Sequence, residues 1–159
     1  MKQLIIDAYN AIYKISRLEA CLNTSNEHAR EELIQFVLKW SRKCNYQGKI
    51  FIVFDGSDGF VQKNRTIGLA TIMFSKSEEE ADGRILSMVR NSKDRAVISV
   101  VTDDEKHIGS VCKSLGVTVL HPNFLLDTPR KNKTKNDKEL SYTIKKEINE
   151  DLKKAWDIK

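Results

Sequence analysis

Apolar positions along the chain fall into two patterns: short solid runs, and stretches where they recur every three or four residues. Gln3–Ile6 is a solid run that stops at Asp7 and reads as a buried strand. Lys49–Phe54 (KIFIVF) is β-branched and aromatic, a second strand ending at Asp55-Gly56. Ala70–Phe74 makes a third, Ala96–Val101 (AVISVV) a fourth that ends at Thr102-Asp103-Asp104, and Val117–Leu120 a fifth. Between the first two strands, Ala29, Leu33, Phe36, Val37, Trp40 and Cys44 keep a helical period. Thr24-x-x-Glu27 has the form of a capping box that opens this helix, and Gly48 follows its end. Ser57–Arg65 is polar and glycine-punctuated and reads as a loop. Ser77 can cap a further helix, with Glu78-Glu79-Glu80 at the end of the dipole that favours acids. A last helix of this part runs from Asp104 to about Leu115, with Gly116 behind it. Solid apolar strands alternating with helices predict an α/β fold: five strands, mostly parallel, in a sheet covered by helices on both faces.

The 159 residues suit one domain with a sizeable core, and 31% charged against 40% hydrophobic excludes a disordered or fibrous chain. The longest charge-free run, Ser114–Leu126, has 13 residues, too few to span a bilayer, so no membrane partner is expected. Asp7 interrupts the N-terminal apolar run at once, so an export signal is not expected and a cytoplasmic location is. Three cysteines without C-x-x-C spacing give no disulfide framework and no zinc site. The charge of +5 is uneven: residues 1–127 carry 17 Lys/Arg against 16 Asp/Glu, and residues 128–159 carry 10 against 6. The expected organisation is therefore a domain over 1–127 and a basic extension over 128–159. Within that extension, Leu140, Ile144, Ile148, Leu152 and Trp156 form a one-sided stripe that would dock a helix on the domain. A basic extension on a balanced body fits a polyanionic partner such as nucleic acid, although a solvated lysine-rich tail has the same composition.

The acids carry the chemistry. Asp7, Asp55 and the Asp103/Asp104 pair each follow a predicted parallel strand, and such strand ends share one edge where α/β folds bind ligands. Glu78, Glu79 and Asp82 open the helix after the third strand on that same edge, and either glutamate shares a helix face with Asp82. Taken singly, each is an ordinary cap or turn residue. Taken together they repel unless a cation neutralises them, and hard oxygen ligands of this kind suit Mg²⁺ or Mn²⁺. The chemistry such a cluster supports is phosphodiester hydrolysis. The sequence holds no G-x-G-x-x-G, no G-x-x-x-x-G-K-[ST] and no G-x-S-x-G. Lys14, Lys63, Arg65 and Arg84 lie near the acidic edge and are candidates for gripping a phosphate backbone, as are Arg130, Lys131, Lys133 and Lys135 in the extension.

Four motifs in order also carry a family resemblance. Ile5-Ile6-Asp7-Ala8-Tyr9-Asn10 resembles the opening strand of NYN domains, Phe54-Asp55-Gly56 their second-strand motif, Ala81-Asp82 their third acidic position, and Val101-Thr102-Asp103-Asp104 their V-T-x-D. The chain is most similar to the YacP-like branch, within the PIN-like superfamily of metal-dependent nucleases. That resemblance implies a PIN-like, Rossmann-like three-layer sandwich and an endoribonuclease acting on single-stranded mRNA, in some members on the ribosome. Carried over by position, it implies Asp7, Asp82 and Asp104 as the metal-binding core, with Asn10 beside them in the catalytic set. Asp55 would ligate a second ion or support the first, and Glu79, Thr102 and Asp103 would support the ligands, the motif not singling out one of Glu78, Glu79 and Glu80. Ala8 departs from the family's frequent glycine. Two rival readings are an RNA- or ribosome-binding adaptor that does not cleave, and a receiver-like Mg²⁺ module. A receiver would place adjacent acids after the first strand, where Asp7 stands alone.

Overall fold

The computed structural model describes residues 1–56, 64–75 and 81–126. Glu79, Lys63, Arg130, Lys131, Lys133 and Lys135 lie outside the described residues, as do the helix-opening segment 77–80 and the whole 128–159 extension.

The chain runs β1 (Lys2–Asp7), α1 (Ala8–Lys14), α2 (Ser16–Cys21), α3 (Asn26–Lys43), β2 (Gly48–Phe54), β3 (Arg65–Ile67), β4 (Ala70–Phe74), α4 (Ala81–Arg90), β5 (Ile98–Val101), α5 (Ser110–Ser114) and β6 (Thr118–Leu120). A π-helical turn, Glu105–Gly109, leads into α5, and 3₁₀ turns precede β5 and follow β6. The six strands lie in the order β3-β4-β2-β1-β5-β6, with every pair parallel except β3 on β4. The sheet therefore has six strands rather than the expected five. The extra one, Arg65–Ile67, falls where the sequence reads as loop: it is three residues long, largely exposed, and paired on one side only. Gly68 at φ 60° makes the two-residue turn into β4, a conformation glycine enters without strain.

Alternate residues of one strand feed two cores, the mark of a sheet buried on both faces. Leu4, Ile6, Ile50, Ile52 and Phe54 pack against α1, α2 and α3 through Ala11, Ile12, Leu18, Leu33 and Val37. Ile5, Val53 and Val100 point the other way, onto Ile85 and Val89 of α4 and onto Ile108 and Cys112. The result is the three-layer sandwich.

The cap of α3 differs from the expected one. Ser25, not Thr24, is the N-cap, its hydroxyl accepting the His28 N–H at 2.9 Å. The register then places Glu27 one position too early to close a capping box. The helices α1 and α2 have no counterpart in the predicted elements, although Ala8, Ala11, Ile12, Ile15 and Leu18 are all buried at helical spacing. Among the described residues no helix is long and apolar enough to cross a membrane, and the three cysteines are unbridged.

Candidate active site

The sheet reverses its winding at β1. From β1 the chain moves outward through β2 and β4, then returns to place β5 and β6 on the other side. Strand order at such a switch point opens a crevice beyond the carboxyl ends. Asp7 closes β1 at this crevice, Asp55 follows the neighbouring β2, and Asp104 follows β5 on the other flank. Asp82 comes from the first turn of α4. All four line one open cavity of about 460 Å³. That is ample for one nucleotide-sized ligand.

A buried hydroxyl joins the two strand ends. Thr102, 2% exposed, donates to Asp7 Oδ2 at 3.1 Å and accepts the Asp104 N–H at 3.1 Å. One side chain thereby orients one carboxylate and the backbone of another. Asp104 also accepts the His107 N–H at 3.1 Å, capping the π-helical turn, and Asp82 accepts the Gly83 N–H at 2.8 Å. In Asp104 the ordinary cap role and the cavity-lining role thus coincide. Behind Asp55, the Ser75 hydroxyl lies 3.5 Å from its Oδ1 and accepts the Gly56 N–H at 3.0 Å.

Burial is the main reason the Asp7 carboxyl is pushed up to about 6. The Thr102 hydrogen bond opposes that shift, while the charges of Asp82, Asp104 and Asp55 add to it. Asp103 behaves in the opposite way. Its carboxylate bonds Lys14 Nζ at 3.0 Å and His121 Nε2 at 3.1 Å, and Lys14 above all holds it below the ordinary range. Its N–H donates to Asn10 Oδ1 at 2.7 Å, so Asn10 ties α1 to the end of β5 while also lining the cavity.

The described site residues therefore separate into two groups. Asp7, Asn10, Asp55, Asp82 and Asp104 come together at the cavity, with Thr102 bonded behind them. Asp103 and Lys14 engage each other beside it, and Arg65 stands on β3, its guanidinium 2.6 Å from Glu31. The sequence reading missed three further lining residues: Tyr9, Tyr13 and Asn26. Tyr9 and Tyr13 are four apart on α1, a signal that needs α1 to be read as a helix before it can be seen. Tyr9 is fixed by the Arg30 guanidinium on its hydroxyl at 2.9 Å and by edge-to-face contact with Phe54.

The donor chemistry fits a hard divalent cation. Carboxylate oxygens are its preferred ligands, and Mg²⁺ commonly takes one or two of them with water and substrate phosphate completing the set. As they lie, no three Asp, Glu, His or Cys side chains among the described residues converge tightly enough to hold one ion by themselves. An ion held here would draw on fewer direct protein ligands, with the remaining acids acting through water or charge.

A switch-point cavity ringed by aspartates on a three-layer α/β sandwich is the architecture of the PIN-like nuclease superfamily, to which NYN domains belong. The model of the YacP-like NYN domain matches residues 4–159, and the chain belongs to that family. Among solved structures it is similar to Rae1 (YacP) from Bacillus subtilis, at 22% identity and a TM-score of 0.64 over 99% of this chain and 87% of that one. A point mutant of the same Bacillus subtilis protein gives 22% and 0.64 over 96% and 85%. At this identity the likeness speaks for the fold. No curated protein matches the chain.

Proposed function

We propose that the chain is an endoribonuclease that hydrolyses phosphodiester bonds of single-stranded RNA at the acidic cavity, with Mg²⁺ or Mn²⁺ as its cofactor. One observation carries the reading: aspartates from four separate elements face one cavity, close enough that three of them raise the pKa of the fourth. A protein that only binds RNA gains nothing from this arrangement, because carboxylates repel phosphates. A bound divalent cation would activate water and offset the charge developing on phosphate and leaving oxygen. Asp7 and Asp104 are the residues best placed to hold it, tied together as they are through Thr102. Asp82 and Asp55 stand on the flanks. Asn10 and Asp103 keep α1 and the β5 end in register, and so keep Asp104 opposite Asp7. Orienting groups of this kind affect metal sites nearly as strongly as the ligands do. Single-stranded stretches of mRNA, including those exposed during translation, are substrates of the right chemistry.

The test incubates the protein with single-stranded and fully paired RNA in Mn²⁺, in Mg²⁺ and in EDTA. The expected result is internal cleavage of the single strand with either metal and none in EDTA. Cleavage that persists in EDTA, or RNA that binds and stays intact with every metal, contradicts the reading; the second outcome favours a non-cleaving adaptor.

A further inference from the structure

Besides the aspartates, the cavity lining includes aromatic and amide-bearing side chains. Tyr13 lines it and is 57% exposed, the one aromatic among the large exposed apolar side chains of the described residues. Its neighbour one turn back, Tyr9, is pinned by Arg30 and Phe54. Tyr13 itself makes no hydrogen bond or ring contact with any described residue. Leaving a ring in water forgoes the free energy its burial would contribute, and nothing in the packing of α1 requires it there. Its backbone is nonetheless well anchored, since Ala11 and Ile12 beside it are fully buried. An exposed ring on an anchored helix, lining a cavity that would process phosphates, is what base stacking needs. Asn26, at the start of α3, lines the same cavity with a carboxamide that can donate to and accept from a base edge.

We infer that Tyr13 is a nucleobase platform. It stacks one unpaired base beside the phosphate that faces the aspartates, and so confines the site to single-stranded RNA. A base inside a duplex already stacks on its neighbours and presents no free face to the ring. The inference rests on the cleavage reading for its setting, but stacking can be measured by binding alone.

The experiment compares wild type, Tyr13→Ala and Tyr13→Phe on a short single-stranded RNA carrying 2-aminopurine, whose fluorescence falls when the base stacks. Tyr13→Ala is expected to weaken binding by about 5- to 150-fold, raise KM more than it lowers kcat, and lose the quenching. Tyr13→Phe keeps the ring and is expected to restore most of all three. Mn²⁺ binding should be the same in the three proteins, which reports that the fold and acidic edge are intact. Equal affinity and quenching in wild type and Tyr13→Ala overturn the platform while leaving cleavage standing. Tyr13-dependent quenching without cleavage by the wild type overturns the nuclease reading and leaves the platform. Wild-type protein that binds no RNA overturns both.

Discussion

At Asp7, burial and neighbouring charge favour the neutral acid, while the Thr102 hydroxyl favours the carboxylate. The group titrates at about 6 in the folded chain against a reference value of 3.8. Between those values the folded state holds the additional proton. In metal-free buffer the Asp7 contribution to stability is therefore fully present below about pH 4, falls as the pH rises towards 6, and is lost above it. Asp7→Asn removes this slope and should stabilise the metal-free protein near neutral pH by about 1–3 kcal/mol. Denaturation midpoints at about pH 4 and about pH 7 check it, and a variant that parallels wild type at both values contradicts the electrostatic account. The positions of the four aspartates were legible in the sequence because each follows a strand or opens a helix. Their partners were less so. Lys14 reads as a phosphate grip, yet its ammonium meets Asp103, a residue that only the β1-β5 pairing brings beside α1.

Helix α3 and the parallel strands were legible because burial imposes a period on many consecutive residues. Helices α1 and α2, of 7 and 6 residues, offer scarcely two turns over which a period can show. β3 has almost no buried face, so no apolar pattern marks it, and only its pairing with β4 makes it a strand. The caps are equally local. Ser25→Ala should cost about 1 kcal/mol, whereas Thr24→Ala should be nearly neutral, since Thr24 lies outside the cap. Urea midpoints of the two variants decide between the neighbouring positions, and equal losses contradict the observed cap. The join of β2 to β4 gives a sharper case. A Cβ at Gly56 would collide with the Ser75 carbonyl oxygen, so Gly56→Ala must move backbone directly behind Asp55. It should destabilise by about 1–3 kcal/mol, read from the same midpoints, and a neutral result contradicts the close approach.

Across the whole molecule, a nearly balanced body is joined to an extension with an excess of four positive charges, 10 Lys/Arg against 6 Asp/Glu. The acidic cavity repels the polyanion it is proposed to cut, so cations elsewhere must supply attraction. Replacing Arg130, Lys131, Lys133 and Lys135 by glutamine should weaken RNA binding and lower the slope of log affinity against log salt by up to about 3. A salt titration with wild-type slope would make the extension merely solubilising. The acidic edge carries the central claim, and it is tested most directly by the single-turnover cleavage rate of a single-stranded RNA in Mn²⁺. The rate is compared between wild type and the Asp7→Asn, Asp82→Asn and Asp104→Asn proteins, each first checked for a cooperative unfolding transition. Each substitution should lower the rate by at least the roughly 100-fold that loss of a supporting group can cost, with the fold intact; undiminished cleavage by Asp7→Asn and Asp104→Asn would contradict the account.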